Sequence, residues 1–213
     1  DLVRDYGCDS LRLYEMFVGP PELDSEWDER GIDGVYRFIT RFWKLAVDSI
    51  EANVEPTKEM IKLRHQMVHT ITRRLEDFSL NTVVSGFMEF NNKFIELAKK
   101  EGGIDKETIQ TFVTLLAPFA PHIGEELWER LGNTGSVFEN NKWPEADEEL
   151  MKDDEIQVPV QINGKTKVVI SVPADISKDD AIAQGKEALG DKLTGNIIKE
   201  IYVPGRIINI VAK

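Results

Sequence analysis

Residues 32–50 read IDGVYRFITRFWKLAVDSI, and the spacing of their apolar side chains decides what most of the chain is. Val35, Phe38, Ile39, Phe42, Leu45, Ala46 and Ile50 recur three and four apart, the period of one helical face. The pattern predicts an amphipathic helix from Ile32 to about Asn53. Outward from it the same period returns twice. Behind Pro56 it runs through Met60, Ile61, Met67, Val68, Ile71, Leu75 and Phe78; between Asn81 and Lys100 it runs through Val83, Val84, Phe87, Met88, Phe94, Ile95 and Leu97, with Gly102 and Gly103 as the stop. Asp105 to Leu131 is apolar over much of its length but contains Pro118 and Pro121, which predicts a kink or two abutting helices. Upstream, Asp9 and Ser10 read as the cap of a helix through Leu11, Leu13, Tyr14, Met16 and Phe17, ended by Gly19, Pro20 and Pro21. Amphipathic helices with short joints make a helix bundle.

Beyond Gly132 the pattern changes. Residues 145–155 hold seven acids and one lysine, the composition of a solvated connection. Val158, Val160 and Ile162 then alternate with polar neighbours up to Asn163-Gly164, and alternation resumes from Lys165 to Val172. Asn-Gly between two such runs is a strong hairpin signal. Ser177 caps a predicted helix from Lys178 to Leu189, and the runs 198–203 and 206–211 flank Pro204-Gly205, a pair suited to a type II turn. The predicted fold is therefore α+β: a mainly α-helical bundle followed by a small α+β domain with two β-hairpins. Its divisions are residues 1–30, a bundle over 31–135, an acidic linker over 136–154 and the α+β domain over 155–213.

The formal net charge is -12, which at first opposes nucleic-acid binding, since phosphate contacts are made by Lys and Arg. The average hides an asymmetry. Residues 1–154 carry 18 basic and 31 acidic side chains, whereas residues 155–213 carry 8 and 7. Binding of a polyanion would therefore be confined to local basic stripes. Arg37, Arg41 and Lys44 form one such stripe opposite the apolar face of their helix, and Lys58, Lys62, His65, His69 and Arg73 form another one helix later. Parallel stripes would track a phosphate backbone; a plain solvated helix face has equal standing on sequence alone. In the last quarter Lys165 and Lys167 follow the Asn-Gly turn, and Lys199, Arg206 and Lys213 lie on or beside the other hairpin.

Other constellations carry less. His122-Ile123-Gly124 is continued by Glu125 within a helical region, so it is not a nucleotide-binding signature. His65 and His69 have metal-ligand spacing but no third ligand nearby. Trp43, Trp128 and Trp143 lie among apolar neighbours or beside Pro144 and read as packing residues, while Trp27 is undecided. The single cysteine, Cys8, precludes an internal disulfide and suits a reducing cytosol. No run approaches the ~20 apolar residues of a membrane span. With no glycine-rich phosphate loop and no nucleophile elbow, the chain reads as catalytically silent, and its start on Asp1 reads as that of a fragment.

Residues 1–14, DLVRDYGCDSLRLY, resemble the segment that follows the KMSKS loop in class Ia aminoacyl-tRNA synthetases, with Cys8 where alanine is usual. Residues 34–43, GVYRFITRFW, look like the first helix of that class's anticodon-binding bundle, and residues 116–128, LAPFAPHIGEELW, like the bundle's signature. Residues 160–165, VQINGK, and 202–209, YVPGRIIN, resemble the small C-terminal domain of the bacterial leucyl-tRNA synthetase family.

The resemblance implies a stem-contact segment at 1–30, an anticodon-binding-type bundle at 31–135 and a C-terminal tRNA-binding domain at 155–213. The family joins leucine to tRNA(Leu) with ATP and Mg²⁺, in the cytoplasm, as a monomer. Its catalytic and editing domains are expected upstream of Asp1, so no catalytic residue, metal site or cofactor is expected in this fragment. Arg12 is the position nearest the KMSKS loop, with a salt bridge to Asp9 or Glu15 as its structural alternative. The family's bundle does not read the anticodon, and its C-terminal domain contacts the outer corner of the tRNA. The implied task is recognition of tRNA shape, with Arg37, Arg41, Lys44, His69 and Arg73 along the tRNA body and Lys165, Lys167, Lys199 and Arg206 at its corner. Two other readings stay open: a free-standing helical protein-interaction module, and the equivalent region of a valyl, isoleucyl or methionyl synthetase.

Overall fold

In the computed structural model, residues 1–20, 24, 28, 31–139, 141–152 and 155–213 are described. Trp27 lies outside them. The chain divides into two compact units, Asp1–Met151 and Lys152–Lys213, and the fold is α+β.

The first unit contains α1 (Leu2–Tyr6), α2 (Cys8–Phe17), α3 (Ile32–Ala52), α4 (Lys58–Glu76), α5 (Leu80–Glu101), α6 (Lys106–Leu116) and α7 (Pro121–Arg130). The helix stops follow from local chemistry. Asn53 ends α3 and Gly102 ends α5, both in the left-handed conformation that presents a backbone N–H to the last turn. Thr57, not Pro56, caps α4, its hydroxyl accepting from the Met60 N–H; Pro56 merely precedes the cap. Phe78, counted in the apolar stripe, is instead exposed with φ 53, because α4 has already ended at Asp77 and the chain reverses there.

Helix α5 packs on α4, α3 and α2, while α6 packs on α4, α3 and α7. Helices α3 and α4 therefore occupy opposite corners of a four-helix square. Phe112 of α6 fills its centre, stacked at 4.2 Å on Phe42 of α3 and at 5.7 Å on Phe87 of α5. Trp128 is buried; Trp43 is half-buried beneath the Arg130 guanidinium, and half-buried Trp143 donates its indole N–H to Thr72.

Pro118 and Pro121 divide the fifth predicted segment into α6 and α7, and α2 holds the joint. Asp9 and Ser10 do not cap α2: they lie inside it, and Gly7 precedes it. Ala120, the N-cap of α7, has no side chain that can accept a hydrogen bond. The Asp9 carboxylate replaces it from another helix, receiving the backbone N–H groups of His122 and Ile123 at 3.4 and 2.8 Å and sitting 2.8 Å from His122 Nδ1. One turn along α2, Arg12 donates to the carbonyls of Pro118 and Phe119 at 3.1 and 3.3 Å. Arg12 thus bonds the α6–α7 joint rather than Asp9 or Glu15. Gly124 lets α7 lie close on α6, since a Cβ there would come 2.9 Å from that of Ala117.

The second unit has β1 (Glu155–Ile162), β2 (Lys165–Pro173), α8 (Lys178–Leu189), β3 (Ile197–Val203) and β4 (Ile207–Ala212), in sheet order β2-β1-β4-β3. Pairs β1–β2 and β3–β4 are antiparallel hairpins; β1 and β4 are parallel. Asn163 and Gly164 both have positive φ, as a type I′ turn demands. The Asn163 carboxamide also bonds the Ala212 N–H and C=O, tying the turn to β4. Gly205 has φ 68 and the Arg206 N–H reaches the Val203 carbonyl, the geometry of a type II turn. Ser177 caps α8 through the Asp180 N–H. The helix lies over Val158, Val160, Val172, Ile208 and Ile210.

Removing the acceptor that α7 borrows has a definite cost. Asp9→Ala is expected to destabilise the chain by about 1–2 kcal/mol, the range of a lost N-cap, read as a lower urea midpoint with little change in slope.

Candidate nucleic-acid interface

The two helical basic stripes do not lie side by side. Because α3 and α4 are diagonal in the square, Arg37, Arg41 and Lys44 are presented on one corner and His69 and Arg73 on another. Each stripe also meets different chemistry. Lys44 is paired with Asp48 at 2.7 Å, and that hydrogen bond raises the lysine's pKa above its ordinary value. Arg37 and Arg41 are exposed, and neither meets a carboxylate among the described residues. They line a recess of about 230 Å³ between α3 and α5, with Gly34, Phe38, Met88, Asn91 and Asn92.

The α4 stripe is flanked by the chain's own acidic segment. Residues 141–151, expected as solvated linker, run along the bundle and belong to the first unit. Trp143 bonds Thr72 at 2.8 Å, the Asp147 N–H donates to His65 Nδ1 at 3.0 Å, and Gln66 donates to the Met151 carbonyl at 3.1 Å. Trp143 and these three bonds hold the segment against the bundle while the intervening acids stay exposed. Glu145, Asp147, Glu148 and Glu149 are thereby placed near a helix rich in cations, where His69 and Arg73 remain exposed. His65 is a hydrogen-bond acceptor here. Among the described residues no group of three His, Cys, Asp or Glu is placed to hold a metal ion.

In the second unit Lys165, Lys167, Lys199 and Arg206 are all exposed. Lys165 and Lys167 follow the β1–β2 turn, with Lys167 in a bulge beside Gln161. Lys199 pairs across to Val211, near the same end of the sheet because β4 runs parallel to β1. Arg206 sits in the β3–β4 turn at the other end, roughly 16 Å from Lys199 by strand rise. Lys165 and Lys167 share the β2 edge, whereas Lys199 lies on the opposite edge strand β3, roughly 14 Å across the sheet.

A larger recess of about 710 Å³ beside α7 is lined by Glu125, Glu126 and Glu129, with His122 and Phe138. Its acidity disfavours phosphate, so the smaller arginine-lined recess is the better candidate for an anionic ligand. Sequence reading missed Asn91, although its place at i+4 from Phe87 and i+7 from Val84 sets a polar residue on the apolar stripe.

Residues 57–182 match the family described as the anticodon-binding domain of tRNA ligase, and the chain belongs to that family. It is 40% identical over 230 aligned positions to a leucine–tRNA ligase of Fervidobacterium nodosum, covering 100% of this chain and 28% of that protein. It is 40% identical to that of Parabacteroides distasonis (99% and 22% covered) and 37% identical to that of Rhodopirellula baltica (100% and 23%). The chain thus spans about a quarter of the length of these relatives. The fold is similar, with TM-score 0.75 and 26% identity, to 30% of a LeuRS chain of Agrobacterium radiobacter, whose crystal structure is a ternary complex with tRNA and LeuAMS. That likeness covers 100% of the present chain.

The His65 contact is pH-sensitive. Desolvation first, then the Arg64 charge, lower the His65 pKa below its ordinary 6.5, while Asp147 and Glu107 oppose them. A depressed folded pKa means that the stabilisation is complete above 6.5 and is lost as pH falls through the lower folded value. Amide exchange at Asp147, corrected for its intrinsic pH dependence, is expected to quicken between pH 7.5 and 5.5. His65→Gln, which keeps an acceptor but does not titrate, is expected to flatten that response.

Proposed function

We propose that the chain is the C-terminal tRNA-binding part of a leucine–tRNA ligase and acts by recognising the shape of tRNA(Leu). The observation that carries this reading is the end-to-end similarity to leucine–tRNA ligases, which runs through both units rather than the bundle alone. That extent also favours leucine over the valyl, isoleucyl and methionyl alternatives. In this reading the leucine, ATP and Mg²⁺ chemistry belongs to catalytic and editing domains elsewhere in a monomeric, cytoplasmic enzyme. This chain supplies binding energy and orientation.

Within it, Arg37 and Arg41 meet the phosphates of the tRNA body, and Lys165, Lys167, Lys199 and Arg206 meet its outer corner. His69 and Arg73 contribute from α4 beside the acidic segment, and Lys44 contributes least because Asp48 already holds it. The sparse cations on an acidic body suit a shape reader: most of the surface repels RNA and a few places attract it.

The test is a salt-dependent titration of the chain against tRNA(Leu) and against a tRNA lacking the long variable arm. Tighter binding of tRNA(Leu) is expected, with affinity falling linearly on a log–log plot. Arg37→Gln and Arg41→Gln are each expected to reduce the magnitude of the slope by roughly 0.7–0.9, one phosphate contact apiece. No binding to either RNA, or slopes unchanged by both substitutions, would contradict the assignment.

A further inference from the structure

The recess between α3 and α5 has an unusual floor. Asn91 is 1% exposed, yet its carboxamide Oδ1 has no hydrogen-bond partner. Leaving a buried amide oxygen unpaired costs the desolvation of that group, and the neighbours on the same stripe, Val84, Phe87 and Phe94, are apolar. Arg74 of α4, whose guanidinium reaches α5, is already committed to the Thr82 carbonyl and Glu89. Above Asn91 the recess is lined by the exposed Arg37 and Arg41 and by Asn92. A ligand that satisfies this set must carry negative charge for the guanidinium groups and a small neutral group for the amide. The 2′-hydroxyl of a ribose both donates and accepts, so it suits either face of the carboxamide, and in RNA it lies between two phosphates.

We propose that this recess is a ribose-reading subsite: Asn91 bonds one tRNA 2′-hydroxyl while Arg37 and Arg41 hold the flanking phosphates. The proposal rests on the tRNA-binding reading and adds to it a discriminating residue that carries no charge. Asn91 is a stability cost retained for binding. Its replacement by an isosteric apolar residue therefore moves stability and affinity in opposite directions, which a purely structural asparagine would not do.

The experiment is a double-mutant cycle between protein and RNA. The wild-type chain and Asn91→Leu are titrated with all-ribose tRNA(Leu) and with a set of tRNAs each carrying 2′-deoxy at one position. Asn91→Leu is expected to melt at the same or a higher temperature and to bind tRNA about tenfold more weakly, the effect of one lost hydrogen bond to a buried partner. One 2′-deoxy position is expected to weaken the wild type by a similar factor and to leave the Asn91→Leu variant unaffected. Should the leucine variant not fold, Arg37→Gln with the same deoxy set replaces it, and the sensitive position is expected to lose most of its effect. If the wild type binds tRNA(Leu) but no deoxy position couples to Asn91 or Arg37, the subsite is overturned and the tRNA reading stands. If the wild type binds no tRNA, both fall.

Discussion

The first unit depends on a grip made by one turn of α2. Asp9 receives the free N–H groups at the start of α7, and Arg12 donates to the free carbonyls in the α6–α7 joint. A proline-divided helix leaves unpaired backbone groups on both sides of the break. Two side chains of opposite charge, three residues apart on a neighbouring helix, match that polarity. With the joint held, α7 lies close on α6 over Gly124 and brings Trp128 into the core. His122, Ile123 and Gly124, which superficially suggest a nucleotide signature, serve this junction: a partner for Asp9, a buried side chain and a close approach.

The square of α3, α5, α4 and α6 then determines the electrostatics. It separates the two basic stripes, leaves Arg37 and Arg41 open beside α5, and gives the α4 face a neighbouring acidic segment anchored by Trp143, His65 and Gln66. In a chain of net charge -12, such placement matters more than cation number. The arginine recess is small and local, whereas the larger recess beside α7 carries the wrong sign for RNA.

Much of this was legible in the sequence because periodicity reports burial directly. The three long apolar stripes, the break at Pro118 and Pro121, the Asn-Gly and Pro-Gly turns and the Ser177 cap all depend on patterns within a few residues. The partners of Asp9 and Arg12 lie more than 100 residues away, so local spacing suggests a cap for the one and a salt bridge to Asp9 or Glu15 for the other. Composition marks the acidic segment as solvated but does not reveal that Trp143 and a backbone N–H anchor it to the bundle. The diagonal placement of α3 and α4 is a tertiary fact, invisible to spacing. Asn91 left a signal, a polar residue on an apolar stripe, which acquires meaning only when the recess above it is seen.

Hydroxyl-radical footprinting of the chain with and without tRNA(Leu) decides whether RNA enters at the α3–α5 recess, as proposed. Met88 lines the recess, exposed Tyr36 lies beside Arg37, and exposed Phe138 lines the acidic recess by α7. The account expects tRNA to suppress oxidation of Met88 and Tyr36 while Phe138 reacts as before. Protection of Phe138 with Met88 and Tyr36 unchanged would contradict it.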